Sequence, residues 1–430
     1  MAPQLNQRYT GFMTAEHIAE RLPTDLKWAV AGRSEEKLKR VVSECQKLNP
    51  DRVQPGKEMP VPLFPLAPFH ILTKKTEIEV CNLNDQELLA LAKKTSAMIC
   101  TVGPFAQFGE HAFKACAEAG THYIDCTGEV VWTLAMIQKY EALAKKAGIV
   151  MIPQCGFDSA PSDLLTWSMA QLVRSKLSAP VSDVVVSIHD LKTKPSGGTL
   201  ATIIGLVETY SIKEIGAAKA PFALSPVPNS YQGPKPSLFT KLTGLRTVSH
   251  LGLLTTSVTA ATDEPIVQRT WGLLQQERSR QKEAYGPRFN YHEYARAKST
   301  LSGMIAHYGL VIGMTMLVLF APVRNLMRRY IYQPGEGVSK EEAAKEYIVM
   351  RGTAVPDVQP KSDKVAMIEA KYPASPYLLT ATCLAQAAYF VLKDDHQLEG
   401  GVYTPACLGQ RFIDRLDGEG FKIETKLVDA

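Results

Sequence analysis

Basic residues follow a short apolar segment near the start of the chain, in a place suited to binding a phosphate. Residues 26–31 are typical of a buried strand; Gly32 and Arg33 come directly after it, and Lys37 lies one helical turn further on. Beyond the second strand of a dinucleotide-binding fold, an acidic residue binds the ribose of NAD, whereas arginine accommodates the 2′-phosphate of NADP. Arg33 and Lys37 therefore indicate NADP, with NAD as the other possibility. The structural alternative is a solvated basic start of a helix.

A second strand end carries Thr101, Gly103 and Pro104, directly after the apolar segment 97–102. Glycine lets a backbone approach a cofactor closely, and proline turns the chain sharply. We expect these three residues to contact the same cofactor. An ordinary turn is the equally simple interpretation.

A third strand end holds the candidate catalytic residue. Asp158 and Ser159 follow the apolar segment 149–152, so Asp158 is placed to transfer a proton or to orient a substrate. The alternative is that both residues only order the turn through local hydrogen bonds. Cys155 is another candidate, although a lone cysteine at a strand end is typical of a buried thiol.

Alternating strands and helices must position these residues. Ser34 suits a helix N-cap, and the apolar residues after it recur at helical spacing. Further apolar segments alternate with amphipathic ones up to residue 152, which predicts an α/β fold with a Rossmann-type parallel sheet and crossover helices. In such sheets, ligands bind at the carboxyl ends of the strands.

Several segments resemble those of saccharopine dehydrogenase-like oxidoreductases, which include the trans-acting enoyl reductases. The similarity is carried, in this order, by AVAGRSEEKL (29–38), TVGPFAQFGEHAFKACAEAGTHYIDCTGE (101–129), PQCGFDSAPSD (153–163), SGGTLATI (196–203) and GGVYTPA (400–406). The resemblance implies an NADP-binding domain over residues 1–155, a substrate- or membrane-associated α+β domain over 156–395, and a C-terminal segment, 396–430, that returns to the cofactor domain. It also implies that Tyr9, Thr10 and Gly11 remain from a glycine-rich phosphate-binding turn.

The sequence departs from the family pattern in two places. Residues 1–8 have no strand character, so we expect a parallel sheet that lacks its first strand and a severe loss of cofactor affinity. Either the gene model has a wrong start, or the protein is a relative that does not bind the cofactor. Residues 56–76 form a Pro-rich apolar insert inside a βαβ unit, where a long structureless loop is uncommon. A retained intron is one hypothesis for this insert, and a surface loop or a lid is the other.

A long apolar segment follows in the second domain. Residues 299–323 contain no Asp, Glu, Lys or Arg, and Arg324, Arg328 and Arg329 follow at once. Their length suffices for a membrane-spanning helix, and anionic headgroups favour such a basic flank. Three interpretations compete: insertion into one face of a membrane or lipid droplet, a full span, and a buried core helix. Residues 221–243 are rich in Pro, Gly and Ser and predict a loop.

Composition limits the possible functions. A net charge of +5 over 430 residues, with no basic stripe, argues against nucleic-acid binding, and eight scattered cysteines fit a reducing compartment rather than disulfides or zinc. The leading hypothesis is an NADP-dependent oxidoreductase that acts on a lipid-like substrate at the cytoplasmic face of a membrane or on a lipid droplet, in lipid or glycolipid metabolism. The alternatives are a catalytically inactive membrane scaffold and an amino-acid-forming dehydrogenase.

Overall fold

The computed structural model describes residues 9–49, 78–193, 197–231, 233–234, 236–330 and 340–430. The insert at 56–76 and residues 1–8 lie outside these ranges. The strands are β1 (Val30–Gly32), β2 (Ile78–Val80), β3 (Ala97–Cys100), β4 (His122–Asp125), β5 (Val150–Ile152), β6 (Val181–Lys192), β7 (Arg246–Val248), β8 (Gly252–Thr256), β9 (Asn290–Arg296), β10 (Tyr347–Pro356), β11 (Lys364–Tyr372), β12 (Gly401–Val402) and β13 (Lys422–Asp429).

Helices connect and cover these strands. They are α1 (Tyr9–Arg21), α2 (Glu35–Leu48), α3 (Asp85–Ala92), α4 (Phe105–Phe108), α5 (Glu110–Ala119), α6 (Val130–Ala147), α7 (Ala160–Leu177), α8 (Gly197–Thr209), α9 (Ile212–Ala218), α10 (Leu238–Thr243), α11 (Ala260–Gln276), α12 (Thr300–Leu319), α13 (Ala321–Tyr330), α14 (Lys340–Ala343), α15 (Pro376–Lys393) and α16 (Gly409–Gly418). Short 3₁₀ helices occupy Arg278–Glu283 and Pro405–Leu408.

The cofactor-type domain contains two parallel sheets. One has the order β12-β5-β4-β3, and the other consists of β1 and β2. Among the residues that the structure describes, no strand pairs with both β1 and β3. The prediction of an α/β fold with a Rossmann-type parallel sheet is therefore confirmed.

Helix α1 joins the two sheets. Its Ala15 and Ala19 pack with Cys45 of α2 in a small buried cluster, and Val30 of β1 lies against the same cluster. Its Met13 packs instead against Ala381 of α15, a helix that also contacts β3 and β4. The burial of small side chains on both faces holds β1 and β3 in one body without direct strand pairing.

The second domain is built on a seven-stranded mixed sheet with the order β13-β11-β10-β6-β9-β8-β7. Helices α7 and α15 lie between this sheet and the four-stranded one. Leu164 of α7 and Leu379 of α15 belong to a single buried cluster with Ile152 of β5 and Val186 of β6. Since one core serves both sheets, the two domains share their main packing layer.

Local signals explain where the elements begin. Ser34 caps α2 as predicted, because its side chain accepts the Lys37 N–H at 3.4 Å. The loop predicted for 221–243 is wrong at its end, where α10 forms. Ser237 caps this helix through the Thr240 N–H at 3.1 Å, and Gly244 ends it in the left-handed conformation at φ 71°.

The apolar segment does not form one continuous helix. Helix α12 ends at Leu319, Phe320 is extended, and α13 begins at once. By length and composition, α12 is able to cross a membrane, but only 6% of its most apolar window is buried. The interpretation of this segment as a buried core helix is therefore wrong.

Candidate active site

The start of α1 meets the carboxyl end of β3. A Cβ atom built on Gly11 would lie 2.6 Å from the Thr101 hydroxyl oxygen, so only glycine fits at this contact. Tyr9, Thr10 and Gly11 form the first turn of α1 rather than a loop before it, and the Thr10 carbonyl accepts the Thr14 hydroxyl at 2.8 Å. A helix N-terminus beside a strand end is the arrangement that binds a pyrophosphate in dinucleotide-binding folds.

Arg33 and Lys37 lie at the carboxyl end of β1, and both are exposed. Arg33 directly follows the strand, while Lys37 lies in the first turn of α2. Both cations are thus open to solvent at the strand end where the sequence placed a 2′-phosphate. Their contact with a cofactor stays a prediction.

A buried carboxylate shapes the turn at Gly103 and Pro104. Glu129, which follows β4, accepts the N–H groups of Phe105 and Ala106 at 2.7 Å each. Burial raises the pKa of Glu129 to about 7, although the two N–H groups act in the opposite direction. The carboxyl group of Glu129, which follows the neighbouring strand β4, therefore fixes the turn that carries Pro104.

A second buried carboxylate joins the ends of β4 and β5. Asp125 accepts the N–H of Thr127 at 2.8 Å and the N–H of Gln154 at 3.0 Å through one oxygen. Burial raises the pKa of Asp125 to about 7. These bonds align the loop after β4 with the loop that leads to Asp158.

Asp158 lies in a recess between the first domain and α11. Protein surrounds the carboxyl group on many sides, yet the side chain stays exposed. A Cβ atom built on Gly128 would lie 3.5 Å from Asp158 Oδ2, so a bare stretch of backbone faces the carboxyl group. The surrounding protein raises the pKa of Asp158 to about 6, and the negative charge of Glu293 adds to this shift. Asp158 therefore keeps its proton up to about pH 6, well above the range of an ordinary aspartate, as proton donation requires.

Two more carboxyl groups lie behind Asp158. The Ser162 hydroxyl is 3.0 Å from Asp263 Oδ2 and 2.8 Å from Glu293 Oε2. A hydroxyl has one proton, so both bonds form only if one carboxyl group is protonated. Burial and the charge of Glu293 raise the pKa of Asp263 well above its usual value, which makes Asp263 the protonated member. Ser162 is thus a link between the carboxyl groups of Asp263 and Glu293.

Helix α8 forms a wall beside the Pro104 turn. A Cβ atom built on Gly205 would lie 3.3 Å from Pro104 Cβ, so α8 packs closely over α4. Ser196, the first residue of the family-like segment 196–203, lies outside the described residues. Helix α8 also contacts α12. The same helix therefore touches both the Pro104 turn and the apolar helix.

The candidate Cys155 and a titratable residue of β6, His189, have structural surroundings. Cys155 is fully buried, and burial raises the pKa of its thiol, so the thiolate form is disfavoured. His189 lies on β6, where its Nε2 is 3.0 Å from Arg351 Nη1, and burial together with the Arg351 charge lowers the His189 pKa to about 4. Among the described residues, no cluster suits a metal ion.

Sequence reasoning missed Gly128, Glu129, Asp263 and Glu293 as parts of this site. Glu293 had a local signal in the alternation of β9. Its side chain lies on the inward face of the strand, whereas the side chains of its neighbours His292 and Tyr294 lie on the opposite face. Asp263 had none, because its partner Ser162 is 101 residues away along the chain.

The described groups suit a dinucleotide. Because Gly11 has no side chain, the start of α1 lies close to Thr101. Because Gly128 has none, its backbone is exposed to the carboxyl group of Asp158. A Rossmann-type sheet with exposed cations at one strand end and a proton-holding carboxyl group at another defines a nicotinamide-dependent class of protein.

Comparison with known proteins shows which proteins this chain is similar to. Residues 9–152 match the model of the saccharopine dehydrogenase NADP-binding domain. A trans-acting enoyl reductase of Mycobacterium tuberculosis is 28% identical over 441 residues, covering 97% of this chain and 95% of that protein. A bovine saccharopine dehydrogenase-like oxidoreductase is 25% identical over 438 residues, covering 97% and 93%. Residues 9–152 therefore form a domain of the saccharopine dehydrogenase NADP-binding type, and the NADP cofactor predicted from the sequence is confirmed.

The fold agrees with this assignment. The saccharopine dehydrogenase (L-Glu forming) of Saccharomyces cerevisiae superposes with a TM-score of 0.53 at 11% identity, covering 97% of this chain and 98% of that one. At this identity, the similarity concerns the fold alone.

Proposed function

We propose that this protein is an NADP-dependent oxidoreductase that acts on an apolar, lipid-like substrate at the cytoplasmic face of a membrane or on a lipid droplet. The observation that carries the proposal is the position of α8 between the candidate cleft and the exposed apolar helix α12. From Ile203 to Val207 the helix has no ionisable side chain, and Ile204 is buried. A substrate dissolved in lipid that contacts α12 would reach the strand ends along the apolar surface of α8.

Each group at the strand ends has a role in this proposal. Arg33 and Lys37 bind the 2′-phosphate, and the start of α1 beside Thr101 binds the pyrophosphate. When bound, NADPH supplies a hydride. Asp158 holds the proton that accompanies it, and α8 with Pro104 excludes water from the cleft.

The reaction class follows from the chemistry of a hydride and a proton. The mycobacterial relative is named as an enoyl reductase. For this chain we propose the same type of step, in which a carbon–carbon double bond conjugated to a carbonyl group receives a hydride at one carbon and a proton at the other. Asp158 gives up the proton and is left as a carboxylate.

A catalytically inactive membrane scaffold is the second candidate. It is favoured by the separation of the two parallel sheets, since in the described residues no strand joins β1 to β3. A gap at that position weakens the support of the phosphate-binding helix. The scaffold would keep the exposed α12 and lose turnover.

The test begins with a fluorescence titration of the full chain with NADPH. The proposal predicts saturable binding, followed by NADPH oxidation with an enoyl phospholipid in vesicles. Binding with no oxidation of any enoyl or carbonyl lipid, but with oxidation when saccharopine-pathway substrates are added, would instead identify an amino-acid-forming dehydrogenase. The absence of NADPH binding would favour the scaffold.

A further inference from the structure

Large apolar side chains recur along one side of α12 at helical spacing. Their exposed fractions lie between 41% and 69%, and we call them the α12 stripe: Leu301, Ile305, Tyr308, Ile312, Met316 and Leu319. In the described chain a stripe of this length has no protein covering it. Water is a poor solvent for such a surface, since each exposed apolar side chain forfeits roughly 1.5–3 kcal/mol of burial free energy.

A second helix extends this surface. The Tyr308 hydroxyl donates to the Leu242 carbonyl at 2.7 Å, which places α10 directly beside the stripe. Leu238, Phe239 and Leu242 of α10 are 59% to 72% exposed. The α12 stripe and these three residues form one continuous surface, which we call the apolar face.

The anchoring of α12 limits how it can meet lipid. Its first turns are tied to β8, because the Thr255 hydroxyl donates to the Gly303 carbonyl and the Thr256 hydroxyl lies against His307 Nδ1, both at 2.8 Å. In the described residues, hydrogen bonds from α12 to the body of the protein extend only as far as Tyr308. The second half of the helix then runs on to Leu319 with α13 as its neighbour.

The position of Arg324 distinguishes two ways in which α12 could insert into a membrane: on end, or parallel to the membrane plane. Its guanidinium donates to the carbonyls of Leu317 at 2.9 Å and Val318 at 3.0 Å. At about 1.5 Å per residue, these carbonyls lie about 14 Å beyond Tyr308 along the axis. On-end insertion would therefore carry the charge near the middle of a hydrocarbon core about 30 Å thick, where arginine costs at least about 2.5–3.5 kcal/mol.

We propose that the apolar face lies in the plane of a single phospholipid leaflet. Helix α12 then runs parallel to the membrane surface, and Arg324 stays at headgroup level beside anionic lipid. The lipid leaflet is favoured over a second copy of the chain because residues 299–323 carry no Asp, Glu, Lys or Arg to fix a helix–helix register, while Arg324 follows at the level of the headgroups. This inference deepens the proposed function, on whose membrane location it rests.

Depth measurements on the full chain test the orientation. An environment-sensitive fluorescent amino acid replaces Phe239, Ile305, Ile312 or Leu319, one at a time. Vesicles of phosphatidylcholine with phosphatidylserine contain quenchers at shallow or deep acyl positions. We expect all four positions to shift to the blue and to be quenched at similar shallow depth. A depth that increases steadily from residue 305 to residue 319 would overturn the in-plane orientation.

Matched variants separate this inference from catalysis. Ile312→Glu should reduce vesicle co-sedimentation at least tenfold. Ile212→Glu, at an exposed residue of α9 beside α6, should leave it unchanged. Unchanged co-sedimentation of Ile312→Glu, or dimers in solution that bind no vesicles, would overturn the inference. NADPH binding is measured on the same samples. If the unmodified protein binds vesicles but not NADPH, only the proposed reductase activity would be rejected.

Discussion

At the scale of single residues, the site combines cations that are open to solvent with carboxyl groups that protein surrounds. Arg33 and Lys37 are exposed, whereas Asp125 and Glu129 are fully buried. The exposed charges are available to a ligand, and the buried ones order the backbone around it. Asp158 is between these extremes, because it is exposed and still has a raised pKa.

The first residue-scale prediction concerns the cofactor phosphate. Arg33→Glu should weaken NADPH binding at least tenfold, or about 1.4 kcal/mol, because a carboxylate repels the 2′-phosphate and can accept the free ribose hydroxyl of NADH. NADH affinity should stay unchanged or rise. Fluorescence titrations with both cofactors measure this, with Arg40→Glu on the exposed side of α2 as the control. Equal effects on both cofactors would remove Arg33 from phosphate recognition.

The second residue-scale prediction concerns the proton. Asp158→Asn keeps the size of the side chain and removes its acidic proton, so the rate of NADPH oxidation should fall roughly 10²–10⁴-fold with NADPH affinity unchanged. In the reductive direction, the unmodified protein should slow as the pH rises through about 6, because the carboxyl group loses its proton there. The variant should lose this dependence. Asp395→Asn, at an exposed position after α15, is the control; a similar rate loss in both variants would argue for a structural role.

At the scale of elements, strand ends were predictable and strand lengths were not. The order of strands and helices up to residue 152 follows the predicted alternation, because apolar periodicity reflects which side chains a sheet buries. The strand predicted over 26–31 is reduced to Val30–Gly32. Among the described residues, β1 pairs only with β2, and strand pairing is a tertiary property that local sequence does not encode.

The element-scale prediction concerns the hydrogen bonds from the start of α4 to Glu129. Burial raises the Glu129 pKa from 4.5 to about 7, so the folded state binds more protons than the unfolded state between these values. This contribution to the unfolding free energy is present below about pH 4.5 and is lost as the pH rises through about 7, by up to about 3 kcal/mol. Urea unfolding at pH 5 and pH 7.5 measures it. Glu129→Gln should reduce the difference in unfolding free energy between the two pH values, while the contribution of Asp125 remains, and Glu118→Gln on α5 should leave the difference unchanged. An unchanged difference in Glu129→Gln would contradict the assignment.

At the scale of the whole molecule, the start of the C-terminal segment is tied into the first domain, whereas its last strand, β13, pairs with β11 at the edge of the second sheet. Strand β12 pairs with β5, and buried Arg269 donates to the Val402 and Leu224 carbonyls at 2.6 Å each and to Glu141 at 2.7 Å. The sequence suggested this return only by resemblance. The arginine that secures it lies 133 residues from Val402, beyond the reach of any local pattern.

The whole-molecule prediction follows from this burial. Arg269→Met should lower the free energy of unfolding by roughly 3–5 kcal/mol, because two buried carbonyl groups lose their donor and Glu141 loses its nearest cation. Arg278→Met, at an exposed residue just after α11, should change it by less than about 0.5 kcal/mol. Urea denaturation of both variants measures the difference. Similar small losses would show that Arg269 does not hold the segment in place.

Hydrogen–deuterium exchange of the full chain with and without saturating NADPH tests most directly whether the strand ends form one cofactor site. We predict slower exchange at three segments: the start of α1 near Gly11, the turn at Gly103 and Pro104, and the start of α2 after Arg33. The β13 edge of the second sheet should be unaffected. Saturable NADPH binding that leaves the three segments unprotected would place the cofactor elsewhere and contradict the account.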